Sequence, residues 1–319
     1  MIKRTLFFES SGHVKARMNQ LVFTPETGEP RQVPIEDVGI VIVESQNITL
    51  SAHCLASLAE NNTAVVFCNA SHMPCSTLVA MDGHSTTQRQ TEAQLSASEA
   101  LNARLWKQTV QAKLRNQARC LEVGGRDGAD KLRGIATGIR NGDPENGEGT
   151  AAILYFKAHF PEGGFKRERD GDMPNALMNY GYAIIRATMA RALVGSGLFC
   201  GKGIHHANQY NAFVLADDIM EPYRPFVDNA VFNSSLREAV ELDKGTKCAL
   251  ATLPASDVLV SGMKRPMMNA MSLTSASLAR CFLKEDTAIC YPELACCPRN
   301  SLRSTTMLSC GSMSFSIFR

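Results

Sequence analysis

Apolar residues change their spacing partway along this chain of 319 residues. Up to about residue 70 they fall in short β-branched or alternating runs, "TLFFES", "HVKARMN", "QLVFTP", "RQVPIED" and "VGIVIVES", punctuated by Gly, Pro and Asn. Successive side chains of a strand point to opposite faces, so runs of this kind predict strands. One helix is expected among them, in "NITLSAHCLASLAENN" with Thr49 or Ser51 as its cap, before "TAVVFCNAS" returns to a buried strand. From residue 91 the period becomes helical: Trp106, Val110 and Leu114 recur at every fourth position, with Leu101 and Leu105 beside them. Further helices are expected through Leu132, Ile135 and Ile139, in "EGTAAILYFKAHF", and in "PNALMNYGYAIIRATMARALVGSGL" with Pro174 in its first turn. Strands first and helices afterwards specify an α+β fold: a small N-terminal β-rich, β-sandwich-like domain followed by an all-helical domain. The boundaries read from the sequence are 1–75 for the β-rich domain, 76–90 for a linker and 91–294 for the helical domain. Residues 295–319, a Ser/Cys/Met/Arg mixture without period, are left unassigned.

Composition removes several classes. A net charge of +2 gives no sign by itself of a nucleic-acid partner, so any basic surface must be local. Stretches such as "DVGIVIVES" are too short to span a bilayer, and Glu9, His13 and Lys15 interrupt any leader-like start. A cytoplasmic protein with no membrane partner is the expectation. Eleven cysteines, odd in number and without a C-x-x-C pair, read as reduced thiols rather than a zinc ribbon or a disulfide framework. No G-x-x-x-x-G-K-[ST] loop is present to bind a nucleotide.

One stretch carries an unusual density of chemistry, "GIHHANQYNAFVLADDIMEPYRP" at residues 203–225. His205 and His206 follow a Gly-rich turn, and Asp218 and Glu221 are three residues apart, on one face if helical. Pro222 ends or kinks that helix directly after Glu221. Far upstream, Glu148 opens an apolar helix behind the turn "NGDPENG". An imidazole with two or three carboxylates is a mixed nitrogen and oxygen donor set, suited to Mg²⁺ or Mn²⁺ acting on phosphate oxygens. Each residue also has a plainer use. A histidine can sit satisfied at an interface, a first-turn glutamate can complement the helix dipole, and paired acids can form a solvated face.

Three blocks in order resemble the CRISPR-associated adaptation integrases, the first-numbered of the Cas proteins. "GIHHANQYNAFVLADDIMEPYRPFVD" resembles the family's signature, with His206 and Glu221 fifteen residues apart and Asp218 in the intermediate acid's place. "EGTAAILYF" is similar to the family's glutamate block, and "ALMNYGYAIIRATMARALVGSGL" to its intervening helix. The likeness, closest to forms from type II systems, covers residues 1–294.

By that resemblance the helical domain is catalytic, and Glu148, His206 and Glu221 are implied metal ligands, with Asp218 in support and His205 as the rival imidazole. The implied protein is an Mg²⁺- or Mn²⁺-dependent DNA endonuclease and integrase that inserts short fragments into a CRISPR array. The implied partners are double-stranded DNA, a second copy in a homodimer, and the small second-numbered adaptation protein. For contacts to phosphate the sequence offers Arg224, the loop residues Lys166, Arg167 and Arg169, and Arg104, Lys107 and Arg115 on the long helix. A nuclease independent of any CRISPR array would need the same ligands, and a DNA-binding scaffold without chemistry is the third reading.

Overall fold

The computed structural model describes residues 3–81, 83–168, 171–295 and 315–318, the last four by their backbone alone. Strands β1 (Arg4–Phe8), β2 (Gly12–Arg17), β3 (Gln20–Pro25), β4 (Arg31–Pro34), β5 (Val38–Val43) and β6 (Ile48–Leu50) come first. Helix α1 (Ala52–Glu60), β7 (Ala64–Cys68) and β8 (Pro74–Leu78) follow. Ser51 is the cap of α1, its side chain accepting from the Cys54 amide.

Strands β4, β3, β2 and β6 form one sheet in that order, antiparallel except for the parallel pair β2–β6. The other sheet has β1, β5, β7 and β8 in that order, with β1, β5 and β7 mutually parallel and β8 antiparallel to β7. All six residues of β5 are buried, so "VGIVIV" runs continuously apolar rather than alternating. Leu6, Phe8, Val41, Val43 and Val65 pack against Val14, Leu21 and Phe23 of the first sheet, with Cys54 and Leu58 of α1. The opposite face, Phe7, Ile40, Ile42 and Val66, belongs to the helical core. One sheet is therefore shared: it closes the β-sandwich on one side and floors the helices on the other.

The helices are α2 (Thr87–Leu95), α3 (Glu99–Val123), α4 (Ala129–Gly138), α5 (Gly147–His159) and α6 (Asn175–Val194). After a long loop come α7 (Val214–Ile219), α8 (Arg224–Phe232), α9 (Lys244–Ala251) and α10 (Met267–Phe282). The helix expected to run unbroken from residue 91 is two helices, because the Ser98 side chain accepts from the Leu101 amide and starts α3 afresh. Ser235–Glu238 forms a 3₁₀ turn, and Asp243 caps α9, its side chain accepting from the Thr246 amide. The helical part also carries a hairpin, β9 (Asp257–Val260) and β10 (Met263–Pro266), whose turn residues Ser261 and Gly262 both have positive φ. A closing strand, β11 (Phe315–Phe318), pairs antiparallel with β1.

Helix α6 runs through the centre of the helices and is buried on nearly every side. Gly181 lets it approach α8: a Cβ there would lie 2.5 Å from Val227 Cγ1. The described cysteines are free thiols, and burial pushes Cys54 up to about 11. Among the described residues no helix is long and apolar enough to cross a membrane.

Candidate active site

The loop between α6 and α7 is folded around one buried carboxylate. Asp218 of α7 is fully buried, and its Oδ2 accepts from the amides of Ile204 (2.8 Å) and His205 (2.9 Å). Gly203 makes that wrap possible, since a Cβ there would lie 2.6 Å from Asp218 Oδ2 and 2.7 Å from the His206 carbonyl. Asp218 Oδ1 lies 2.6 Å from Nδ1 of His206, whose ring is about half exposed. That bond, ahead of the opposing effect of burial, raises the His206 pKa above its ordinary value. It also fixes the ring so that Nε2 is the nitrogen without a hydrogen-bond partner among the described residues. His205 has different work. It stacks flat on Trp106 of α3 at 4.3 Å, while His206 meets the same indole edge-on at 5.3 Å. Burial, then the neighbouring His206, lowers the His205 pKa.

Glu148 is the second residue of α5, where Asp143 accepts from the Gly147 and Glu148 amides at 2.8 and 2.9 Å and Asn146 caps Gly149. Glu221 opens a 3₁₀ turn, Glu221–Tyr223, between α7 and α8, as Pro222 directs. Asn116 of α3 holds this turn by donating to the Pro222 carbonyl at 2.8 Å. The two glutamates, 73 residues apart in the chain, meet at one cation. Lys113 Nζ lies 2.5 Å from Glu148 Oε1 and 2.6 Å from Glu221 Oε2. Burial would lower the lysine pKa, but Glu221 and Glu148 outweigh it and raise it. Burial would likewise raise Glu221, yet Arg224 and Lys113 hold its carboxyl below the usual carboxylate range. Arg224 Nε sits 2.8 Å from Glu221 Oε1 as an ion pair whose N–H is not aimed at the oxygen.

Behind Glu221 lies a second polar layer. The Arg224 guanidinium covers the Tyr182 ring at 4.6 Å, and Arg167 approaches the same ring at 5.2 Å. Tyr155 donates to Asp228 Oδ2 at 3.1 Å and Tyr182 donates to Oδ1. Asp228 is buried, and that desolvation raises its pKa to about 6, against the hydrogen bonds from Tyr182 and Tyr155 and the pull of Arg224.

The structure brings Glu148, Glu221, His206 and Asp218 alongside the middle of α3, where Trp106 and Lys113 lie, with Arg224 beside Glu221. Among the described residues no three His, Cys, Asp or Glu side chains already surround a common point. The Lys113 ammonium stands between the two glutamates, one positive charge where a divalent ion would bring two. Arg167 is tied to Asn175 and Asn179 at 2.9 and 2.6 Å, and Lys166 is exposed beside Glu168 at 3.1 Å. Arg104 and Arg115 are exposed and Lys107 half-buried, while Arg169 lies outside the described residues. Sequence reasoning missed Lys113 and read Trp106 only as a core residue. A signal for Lys113 was present: it is a lone lysine on the inward stripe of α3, and a buried ammonium requires an acid from elsewhere.

Two outcomes follow. Without added metal, Lys113→Met leaves two partly buried carboxylates facing each other and costs on the order of 3 kcal/mol in urea unfolding. Glu148→Gln in the same chain returns part of that loss, and additive costs would contradict the shared-cation geometry. Asp228 gives a pH signature of the opposite sign from a paired carboxylate. Its folded pKa of about 6 lies above the unfolded value of about 4, so its penalty is absent below pH 4 and grows as pH rises through 6. Relative to Asp228→Asn, the wild type loses on the order of 3 kcal/mol across that window, and parallel unfolding profiles would disprove it.

Four likenesses bear on this arrangement. The family model for CRISPR associated protein Cas1 matches residues 6–251. A CRISPR-associated endonuclease Cas1 of Neisseria meningitidis serogroup C (strain 8013) is 35% identical over 250 residues, 77% of this chain and 81% of that protein. A casposase bound to an integration product superposes with a TM-score of 0.73 at 19% identity, covering 91% of this chain and 92% of that one. A chain of a Cas6-RT-Cas1–Cas2 complex superposes with a TM-score of 0.68 at 16% identity, covering 90% of this chain and 36% of that one. With its family model spanning both the β-sandwich and the helices that carry the glutamates, this chain belongs to the Cas1 family.

Proposed function

We propose that this chain is a divalent-metal-dependent DNA endonuclease and integrase of CRISPR adaptation. It joins short DNA fragments to an array by letting a fragment's 3′-hydroxyl attack a phosphodiester, the new P–O bond replacing the one that breaks. The observation that carries this reading is the convergence of Glu148 and Glu221 on one buried positive charge, with His206 held beside them. Membership of the Cas1 family and the endonuclease relative support the reaction class. The fold shared with a casposase agrees with it.

Glu148, His206 and Glu221 would hold Mg²⁺ or Mn²⁺, with Asp218 in support. Such an ion supplies charge at the phosphate oxygens and lowers the pKa of the attacking hydroxyl. The chain's own residues prepare that chemistry. Asp218 fixes the His206 tautomer by accepting at Nδ1, which directs Nε2 outward. Asp143 and the start of α5 fix the backbone beneath Glu148. Arg224 and Lys113 keep Glu221 ionised and ready to serve as a ligand. Arg224 and Arg167, both over the Tyr182 ring, bring positive charge beside Glu221, and with the exposed Lys166 they would meet the phosphate backbone of double-stranded DNA. The partners we assign are DNA, a second copy of this chain as a homodimer, and Cas2, the last supported by the likeness to a chain of a complex containing it. The reaction places the protein in the cytoplasm with the array.

A strand-transfer assay tests the reading, using a short duplex, a repeat-bearing plasmid, Cas2 and Mn²⁺. Wild type joins the strands only with metal, and His206→Ala lowers joining by at least about 100-fold while DNA binding persists. Cutting of branched DNA without joining would favour the array-independent nuclease. DNA binding without joining or cutting by either form would leave only the scaffold.

A further inference from the structure

A cavity of about 390 Å³, lined by none of Glu148, His206, Asp218 and Glu221, lies where Asn62 of the β-rich part meets the helices. Asn62, from the turn between α1 and β7, meets α2, the C-terminal turns of α6 and α10, and Glu285 around it. Three arginines line it, Arg89, Arg191 and Arg280, against one carboxylate, Glu285.

Arg191 is the unusual member. It is 7% exposed, and its Nε donates to the Asn62 carbonyl at 2.5 Å. Its two Nη nitrogens have no hydrogen-bond or ionic partner among the described residues. Burial lowers its pKa with no acid acting in opposition, and its charge in turn contributes, after burial, to lowering that of Lys3. Arg89 is 2.8 Å from Glu285 and Arg280 is 3.3 Å from Asp286, both on the exposed rim. A buried guanidinium left without an acid is costly, and its planar fork of donors suits a tetrahedral oxyanion.

The helix ends set the counter-argument. α6 and α10 both finish here, and each C-terminus carries roughly −0.5 charge, so arginines in their last turns partly offset it. Two ends amount to about one negative charge, and the start of α2 at the cavity returns about half of it. Glu285 pairs with Arg89 and Asp286 with Arg280, so the three arginines leave one positive charge, that of Arg191, and about half of it remains once the helix ends are counted. Serine hydroxyls of Ser196 and Ser272 add polar lining.

We infer that this cavity is a phosphate-binding site, separate from the carboxylate centre, with Arg191 as its buried anchor and Arg89 and Arg280 at its mouth. Its volume accommodates a pyrophosphate or one or two phosphates of a nucleic-acid backbone and falls within the range of small-ligand pockets. Because its walls come from both layers, occupancy would brace the seam between them.

Calorimetric titration with sodium pyrophosphate, against sodium chloride of matched ionic strength, tests it on the full chain. Wild type is expected to bind pyrophosphate and to melt at a higher temperature in its presence. Arg191→Gln is expected to weaken binding by at least about tenfold, the loss of a charge-assisted pair. If that variant does not fold, the rim pair Arg89→Gln with Arg280→Gln, whose side chains are largely exposed, is expected to weaken binding as well. Competition with a fluorescent duplex separates the sources: displacement of DNA by pyrophosphate assigns the site to backbone phosphate, and its absence to a free phosphate compound. No pyrophosphate binding by wild type, or equal binding by wild type and the rim variant, would overturn the proposal.

Discussion

The candidate site rests on a single buried ammonium. Lys113 reaches Glu148 and Glu221 at 2.5 and 2.6 Å, and without it two carboxylates would share a poorly hydrated space with only Arg224 to balance them. Like charges so placed raise one another's pKa or move apart. The lysine holds the two glutamates convergent and, with Arg224, keeps the Glu221 carboxyl below the usual carboxylate range. Its position follows from α3, whose inward stripe also supplies Trp106 to the two histidines and Asn116 to the turn that carries Glu221. Three separated segments, the start of α5, the histidine loop and the Glu221 turn, are registered against one helix.

That helix is in turn placed by a sheet buried on both faces. Phe7, Ile40, Ile42 and Val66 pack into the same core as Trp106, Val110 and Leu114, whereas their strand neighbours complete the β-sandwich. The continuous apolar run of β5 is thus the join between the two halves of the chain. The β-sandwich and the helices share a core, and neither covers its apolar surface alone.

Much of this was legible in the sequence where a pattern had one physical meaning. The change from alternating to helical spacing placed the strands before the helices, and Pro222 ended α7 where a proline must. His206 and Glu221, fifteen residues apart, and Glu148 were singled out by the resemblance to the family's signature and glutamate blocks, since each residue taken alone also had a plainer use. What was not legible depends on neighbours distant in sequence. The buried charge of Lys113 makes sense only with two glutamates 35 and 108 residues away. Which histidine faces Asp218 and which stacks on Trp106 is decided by the loop wrapped on Gly203, not by spacing. The break before α3 and the β9–β10 hairpin were hidden because a serine cap and a Ser-Gly turn are short local signals inside longer patterns.

We propose that Glu148, Glu221 and His206 Nε2 together seat a divalent ion. Pulsed electron paramagnetic resonance on the Mn²⁺-loaded protein tests it most directly, because a coordinated imidazole modulates the manganese echo through its nitrogen. The account predicts one such nitrogen in the wild type, lost in His206→Gln and kept in His205→Gln. Modulation that survives His206→Gln, or manganese that shows no nitrogen in the wild type, would contradict it.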